Sequence, residues 1–107
     1  MGLADVDFVE QCSWEGVLRY AVQRSGFDDF EVADRVGISH GYMSKVLKGT
    51  AGLYGRRLVR FMRETNCAAP VQWLGNQIGA DMTLRNVAAA RIAALKAEVA
   101  RLEGRAA

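Results

Sequence analysis

Seven of this chain's fourteen basic residues fall between positions 35 and 66, where Glu64 is the only acid. They are Arg35, Lys45, Lys48, Arg56, Arg57, Arg60 and Arg63, which gives the segment a net charge of +6. Residues 1–34 hold eight acids (Asp5, Asp7, Glu10, Glu15, Asp28, Asp29, Glu31 and Asp34) against Arg19 and Arg24, a net of −6. The remainder contributes +2, which is also the charge of the whole chain. A cationic middle joined to an acidic beginning makes a dipolar molecule. Its field favours the approach of a polyanion to one face, where clustered cations neutralise charges in series.

Other chemistries find little material. His40 is the single histidine, so one chain cannot assemble a His-based metal cluster. Cys12 and Cys67 lie 55 positions apart without a CxxC pair. They read as packed thiols, since cysteine behaves as a small hydrophobe, rather than as a disulfide or zinc site. No phosphate-loop pattern occurs, and no base stands beside a nucleophile. Asp28 and Asp29 are adjacent and therefore point in different directions. The expectation is a protein with no catalytic activity, metal or cofactor. Apolar runs are too short for a membrane span, and the opening MGLADVDFVE has neither a basic flank nor an apolar leader core. A cytoplasmic protein without membrane contact is expected.

Proline occurs once, at Pro70, and no stretch alternates apolar and polar residues over strand length. Helical spacing recurs instead, which predicts an all-α chain. Ser13 is placed to cap a helix with Trp14, Val17, Leu18 and Ala21 on one side, ended by Gly26. Asp28 or Asp29 caps a second, carrying Phe30, Val32, Ala33 and Val36 inward, with Glu31 in a capping-box position and Gly37 as the stop. Ser39 caps a third, with Met43, Val46 and Leu47 inward and Gly49 closing it. A fourth spans roughly 55–66 and buries Leu58, Phe61 and Met62. Pro70 opens a fifth with Val71, Trp73, Leu74 and Ile78, closed by Gly79. An alanine-rich sixth runs from about Thr83 to Glu103.

The stretch DFEVADRVGISHGYMSKVLKG, Asp29–Gly49, sets two helices of about eight residues around a glycine turn. Small Ala33 permits a close crossing, while Val36, Ile38, Met43 and Val46 anchor both helices. On V-A-D-x-x-G at Val32–Gly37, then Ile38, and V-L-x-G at Val46–Gly49, the chain resembles the lambda-repressor/Cro-like (XRE-type) helix-turn-helix family over roughly residues 12–79. At Asp29 the family commonly has a glutamine that fixes the protein on the DNA backbone. An aspartate repels phosphate and suits capping its own helix instead.

The resemblance implies a compact five-helix repressor-like domain over residues 1–80, plus a C-terminal amphipathic helix over 81–107 for dimerisation or packing on the core. It further implies a sequence-specific regulator of transcription that binds double-stranded DNA, a phage or prophage repressor acting as a dimer. The helix from Ser39 to Lys48 is then the recognition helix. His40, Gly41, Ser44 and Lys45 would read bases, lysine by donating to guanine edges and serine in either role. Ser39, Lys48, Thr50, Tyr54, Arg56, Arg57, Arg60 and Arg63 would contact phosphates. Among these, Arg56, Arg60 and Arg63 form one stripe at i, i+4 and i+7 opposite the apolar side of their helix. The bland alternatives are that the lysines and arginines are solvated faces and that Tyr42 is a partly packed spacer.

In the tail, Ala88, Ile92, Leu95, Val99 and Leu102 follow an alternating four-three spacing, a short heptad seam. Its apolar positions must pack against a second copy or back on the core. A parallel in-register pair would oppose Arg91 with Lys96 and Glu98 with Glu103, both like-charge contacts. An antiparallel or bundled homodimer is therefore preferred, which would suit two half-sites. The alternative function is binding and inhibition of a host protein complex on the same scaffold, with autoregulation or without it. In that case the acidic first third would be the partner face.

Overall fold

The computed structural model describes residues 1–82 and 84–106, and for residues 85–91 and 105–106 it describes the backbone helix alone. Seven helices follow in order: α1 Val6–Gln11, α2 Trp14–Ser25, α3 Asp29–Val36, α4 His40–Leu47, α5 Gly55–Thr65, α6 Ala69–Gln77 and α7 Arg85–Ala106. Side chains that accept the free amides of the first turn set most of the starts. Asp5 accepts from the N–H of Asp7 and Phe8, Ser13 from Gly16, Asp28 from Glu31 at 2.8 Å, and Ser39 from Tyr42 at 3.1 Å. Asp28 is thus the α3 cap, and the side chain of Glu31 turns away to pair with Arg35 rather than closing a capping box. Pro70 sits in the first turn of α6, where its missing N–H costs no hydrogen bond.

Gly37 makes the sharp join between α3 and α4. Its φ of 84° is left-handed, which a side chain would resist, and the amides of Gly37 and Ile38 both reach the Ala33 carbonyl (2.9 and 3.0 Å). Three residues later α4 starts, so the two helices are held at close quarters. Ala33 is fully buried and lets them cross.

The core gathers Val17, Leu18, Ala21 and Val22 of α2, Val32, Ala33 and Val36 of α3, and Met43, Val46 and Leu47 of α4. From α5 come Leu58, Phe61 and Met62, with Leu53 before it and Cys67 after it. The principal packings are α2 on α4, α5 and α6, α3 on α4 and α5, and α1 on α6. Helix α4 is therefore fixed by α2 and α3 through its inner face alone, which leaves its other side outward.

Helix α1, which periodicity does not predict, is tied down by distant partners. The buried side chain of Gln72 accepts from the Ala4 N–H (2.9 Å) and donates to the Ala4 carbonyl (2.8 Å). The Trp73 indole donates to the Cys12 carbonyl at 2.9 Å and packs against Trp14. Gly2 bridges to Cys67 as an isolated β-bridge, and no strand occurs among the described residues.

Several inward assignments are corrected. Phe30 is 57% exposed, Ile78 83%, and Leu74 is also on the surface. The inner positions of α6 are Ala69, Pro70, Gln72 and Gly75. Cys67 is buried but Cys12 only partly so, and both are free thiols. Helix α7 takes no part in the principal packings, and Ile92, Leu95, Val99 and Leu102 are between 51% and 55% exposed. The side chain of Ala88, the remaining seam position, lies outside the described residues, as does Thr83. The molecule measures 66 × 27 × 23 Å. Among the described residues no helix is long and apolar enough to cross a membrane.

Candidate nucleic-acid interface

Helix α4 divides cleanly. Met43, Val46 and Leu47 are buried, Gly41 and Lys45 are exposed, and Ser44 is half-buried between them. Gly41 is not demanded by packing, because a Cβ placed there meets nothing within 4 Å. An exposed glycine inside a helix costs roughly 1 kcal/mol relative to alanine. Its presence leaves bare backbone on the outward face.

His40, the first residue of α4, is held rather than free. Its Nε2–H donates to the Asp34 carboxylate at 2.9 Å, and its ring stacks on Phe30 with centroids 4.5 Å apart and planes 13° off parallel. Asp34 and Phe30 both come from α3, four residues apart on one face, so the short turn at Gly37 brings α3 side chains over the start of α4. Tyr42 is a packed spacer. It is half-buried, its hydroxyl donates to the Gly52 carbonyl at 2.6 Å, and its ring lies 5.9 Å from the Arg57 guanidinium.

The loop after α4 is anchored by buried Leu53 and folded back on the end of the helix. Thr50 gives both its N–H (2.9 Å) and its hydroxyl (3.2 Å) to the Lys45 carbonyl. The Ser39 oxygen is likewise occupied as a cap, though its hydroxyl proton remains available. Tyr54 is 75% exposed and packs its ring over Gly52.

On α5, Arg56, Arg60 and Arg63 line one shallow groove with Gly55, Val59 and Glu64, opposite buried Leu58, Phe61 and Met62. Arg60 also reaches the turn, its guanidinium 3.5 Å from where a Gly37 side chain would begin. A second hollow, of about 300 Å³, forms where α2, α3 and α4 meet and is lined by Arg19, Asp29, Ser44 and Lys48 among others. The candidate residues thus fall into two groups, and no cavity among the described residues is lined by both. Arg19, Phe30 and Asp34 join the surface without having been singled out from the sequence.

Electrostatics separate Arg35 from its neighbours. Arg35 contacts Glu31 at 3.3 Å and Glu64 at 3.5 Å, with its guanidinium over the Phe27 ring. For Lys45, Lys48, Arg56, Arg57, Arg60 and Arg63 no carboxylate lies within 4.0 Å among the described residues. Six cations are therefore left to a solvent-borne anion. Among the described residues, no group of three His, Cys, Asp or Glu side chains is arranged to hold a metal ion. Comparison of the chain with protein-family models, with curated proteins and with solved structures finds no match.

Proposed function

We propose that this chain is a sequence-specific double-stranded DNA-binding regulator of transcription, working as a helix-turn-helix in which α3 and α4 are the paired helices. The observation that carries the reading is the set of six cations without carboxylate partners, distributed beside an α4 whose outer face is open. A phosphate backbone supplies the missing anions, and displacing its condensed counterions drives association. In this reading Gly41, Ser44 and Lys45 meet base edges, with His40 at the groove entrance. Lys48, Thr50, Tyr54, Arg56, Arg57, Arg60 and Arg63 hold the backbone on either side. The exposed seam of α7 joins two copies, which gives the regulator two recognition helices for two half-sites.

Gly41 provides the test. Gly41→Ala is expected to stabilise the protein by about 0.5–1 kcal/mol, by restoring helix propensity at an unobstructed position. The same change is expected to weaken binding to a selected duplex, because the added methyl keeps α4 from its closest approach. Chemical denaturation and fluorescence anisotropy read the two effects separately. Higher stability with unaltered binding would remove the α4 face from the contact.

A second reading has its own observation. Asp28, Asp29, Glu31 and Asp34 are all exposed on α3. In that case they would meet a basic surface of a host protein complex. Charge reversal at Asp28 and Asp29 that leaves DNA binding intact but abolishes a biological effect would favour it.

A further inference from the structure

Phe30 has no place in the core. It is 57% exposed on the first turn of α3, and its main intramolecular partner is the His40 imidazole stacked 4.5 Å away. His40 in turn is fixed by Asp34 at 2.9 Å. Two aromatic rings from different helices are thus clamped as one plate at the start of α4, with an apolar ring left open to solvent. The surroundings restrict what the plate can meet. Asp28, Asp29 and Glu31 flank Phe30 in sequence, and Asp34 lies on the same face. Four carboxylates repel a phosphate backbone, so this edge is unsuited to the groove wall. Within the major groove, the apolar group offered by a base pair is the 5-methyl of thymine, and phenylalanine is one of the side chains that contacts it.

We propose that the Phe30–His40 stack is a composite base-reading element whose apolar ring recognises a thymine 5-methyl group, with Asp34 as the residue that positions the imidazole. The assignment rests on the reading of α4 as the recognition helix. It adds a residue of α3 to the base-reading set and assigns it one chemical group of the DNA.

The experiment uses duplexes enriched by the full-length protein from a random library. Each thymine of the enriched half-site is replaced in turn by deoxyuridine, which removes the methyl and leaves the base pair's hydrogen bonds unchanged. Wild type, Phe30→Ala and Phe30→Leu are compared by anisotropy, with thermal unfolding to verify that the exposed-site variants fold. At one thymine, wild type is expected to lose about fourfold in affinity on deoxyuridine, the value of one buried methyl. Phe30→Ala is expected to bind the thymine duplex at least that much more weakly and to bind both duplexes equally. Phe30→Leu should recover part of the discrimination. If wild type ignores deoxyuridine at every position, or if Phe30→Ala keeps the wild-type ratio, the thymine assignment is wrong while the DNA-reading function stands. If no sequence is enriched at all, both fall together.

Discussion

Replacing Arg56, Arg60 and Arg63 together by alanine is expected to weaken binding to every duplex alike and to flatten the slope of log K against log salt by about 2.7, at 0.9 for each phosphate released. All three side chains line the outer groove of α5, away from its buried Leu58, Phe61 and Met62. None has a carboxylate within 4.0 Å among the described residues, so their removal strands no acid. Alanine also favours helix, and the fold should survive. The pairing of Glu64 with Arg35 is untouched by the change. Anisotropy on a random-sequence duplex between about 50 and 200 mM salt spans the range over which such contacts act. An unchanged slope would mean that the stripe is only a solvated face.

Phe61→Ala should have the largest effect on stability, about 3–5 kcal/mol. Phe61 is fully buried on the face of α5 that packs against α2 and α3, the helices that carry α4. A domain of this size has roughly 5–15 kcal/mol in total, so much of it would go. The melting temperature should fall by more than about 12 °C. Val59→Ala is the control, because Val59 is an exposed neighbour on the same helix and such changes usually stay within about 0.5 kcal/mol. Thermal circular dichroism distinguishes them. Equal melting temperatures would contradict the inward orientation of Phe61.

How far the chain could be read beforehand depended on the range of the interactions involved. Caps and stops act within four residues, so Ser13, Asp28, Ser39 and Gly37 are recognisable from the sequence, and the structure bears them out. The inner faces of α3, α4 and α5 follow in the same way from spacing. Helix α1 does not, because six residues give too little periodicity and its hold comes from Gln72 and Trp73, more than 60 positions away. Gln72 misleads in the opposite direction. A polar residue reads as outward, yet here it is buried by satisfying two backbone groups of Ala4. Phe30 could have been placed correctly. At 100° per residue it lies roughly 110° from the centre of the Val32, Ala33 and Val36 stripe, outside the buried arc. Its hydrophobicity outweighed its angle.

The candidate interface divides along the same line. Its cations are visible as a run of charge, and their segregation from the acids is a matter of counting. That Arg35 is neutralised while its six neighbours are not depends on Glu64, 29 positions on, and on the packing of α3 against α5. The clamp of Asp34 and Phe30 on His40 depends on the angle of a three-residue turn. Neither relation is written in local spacing. The apolar seam of α7 is legible as a pattern, and in the monomer its described positions remain half-exposed.

Selection of bound duplexes from a random DNA library, with a Ser44→Ala/Lys45→Ala double variant run in parallel, is the decisive measurement. A dimer that reads bases through α4 should enrich an inverted repeat, with half-site centres about 10 base pairs or a multiple apart. The double variant should lose that enrichment while keeping its salt-sensitive binding to random sequence. No enrichment by the wild type, with at most weak binding that disappears as salt is raised, would contradict a sequence-specific regulator and point to a protein partner.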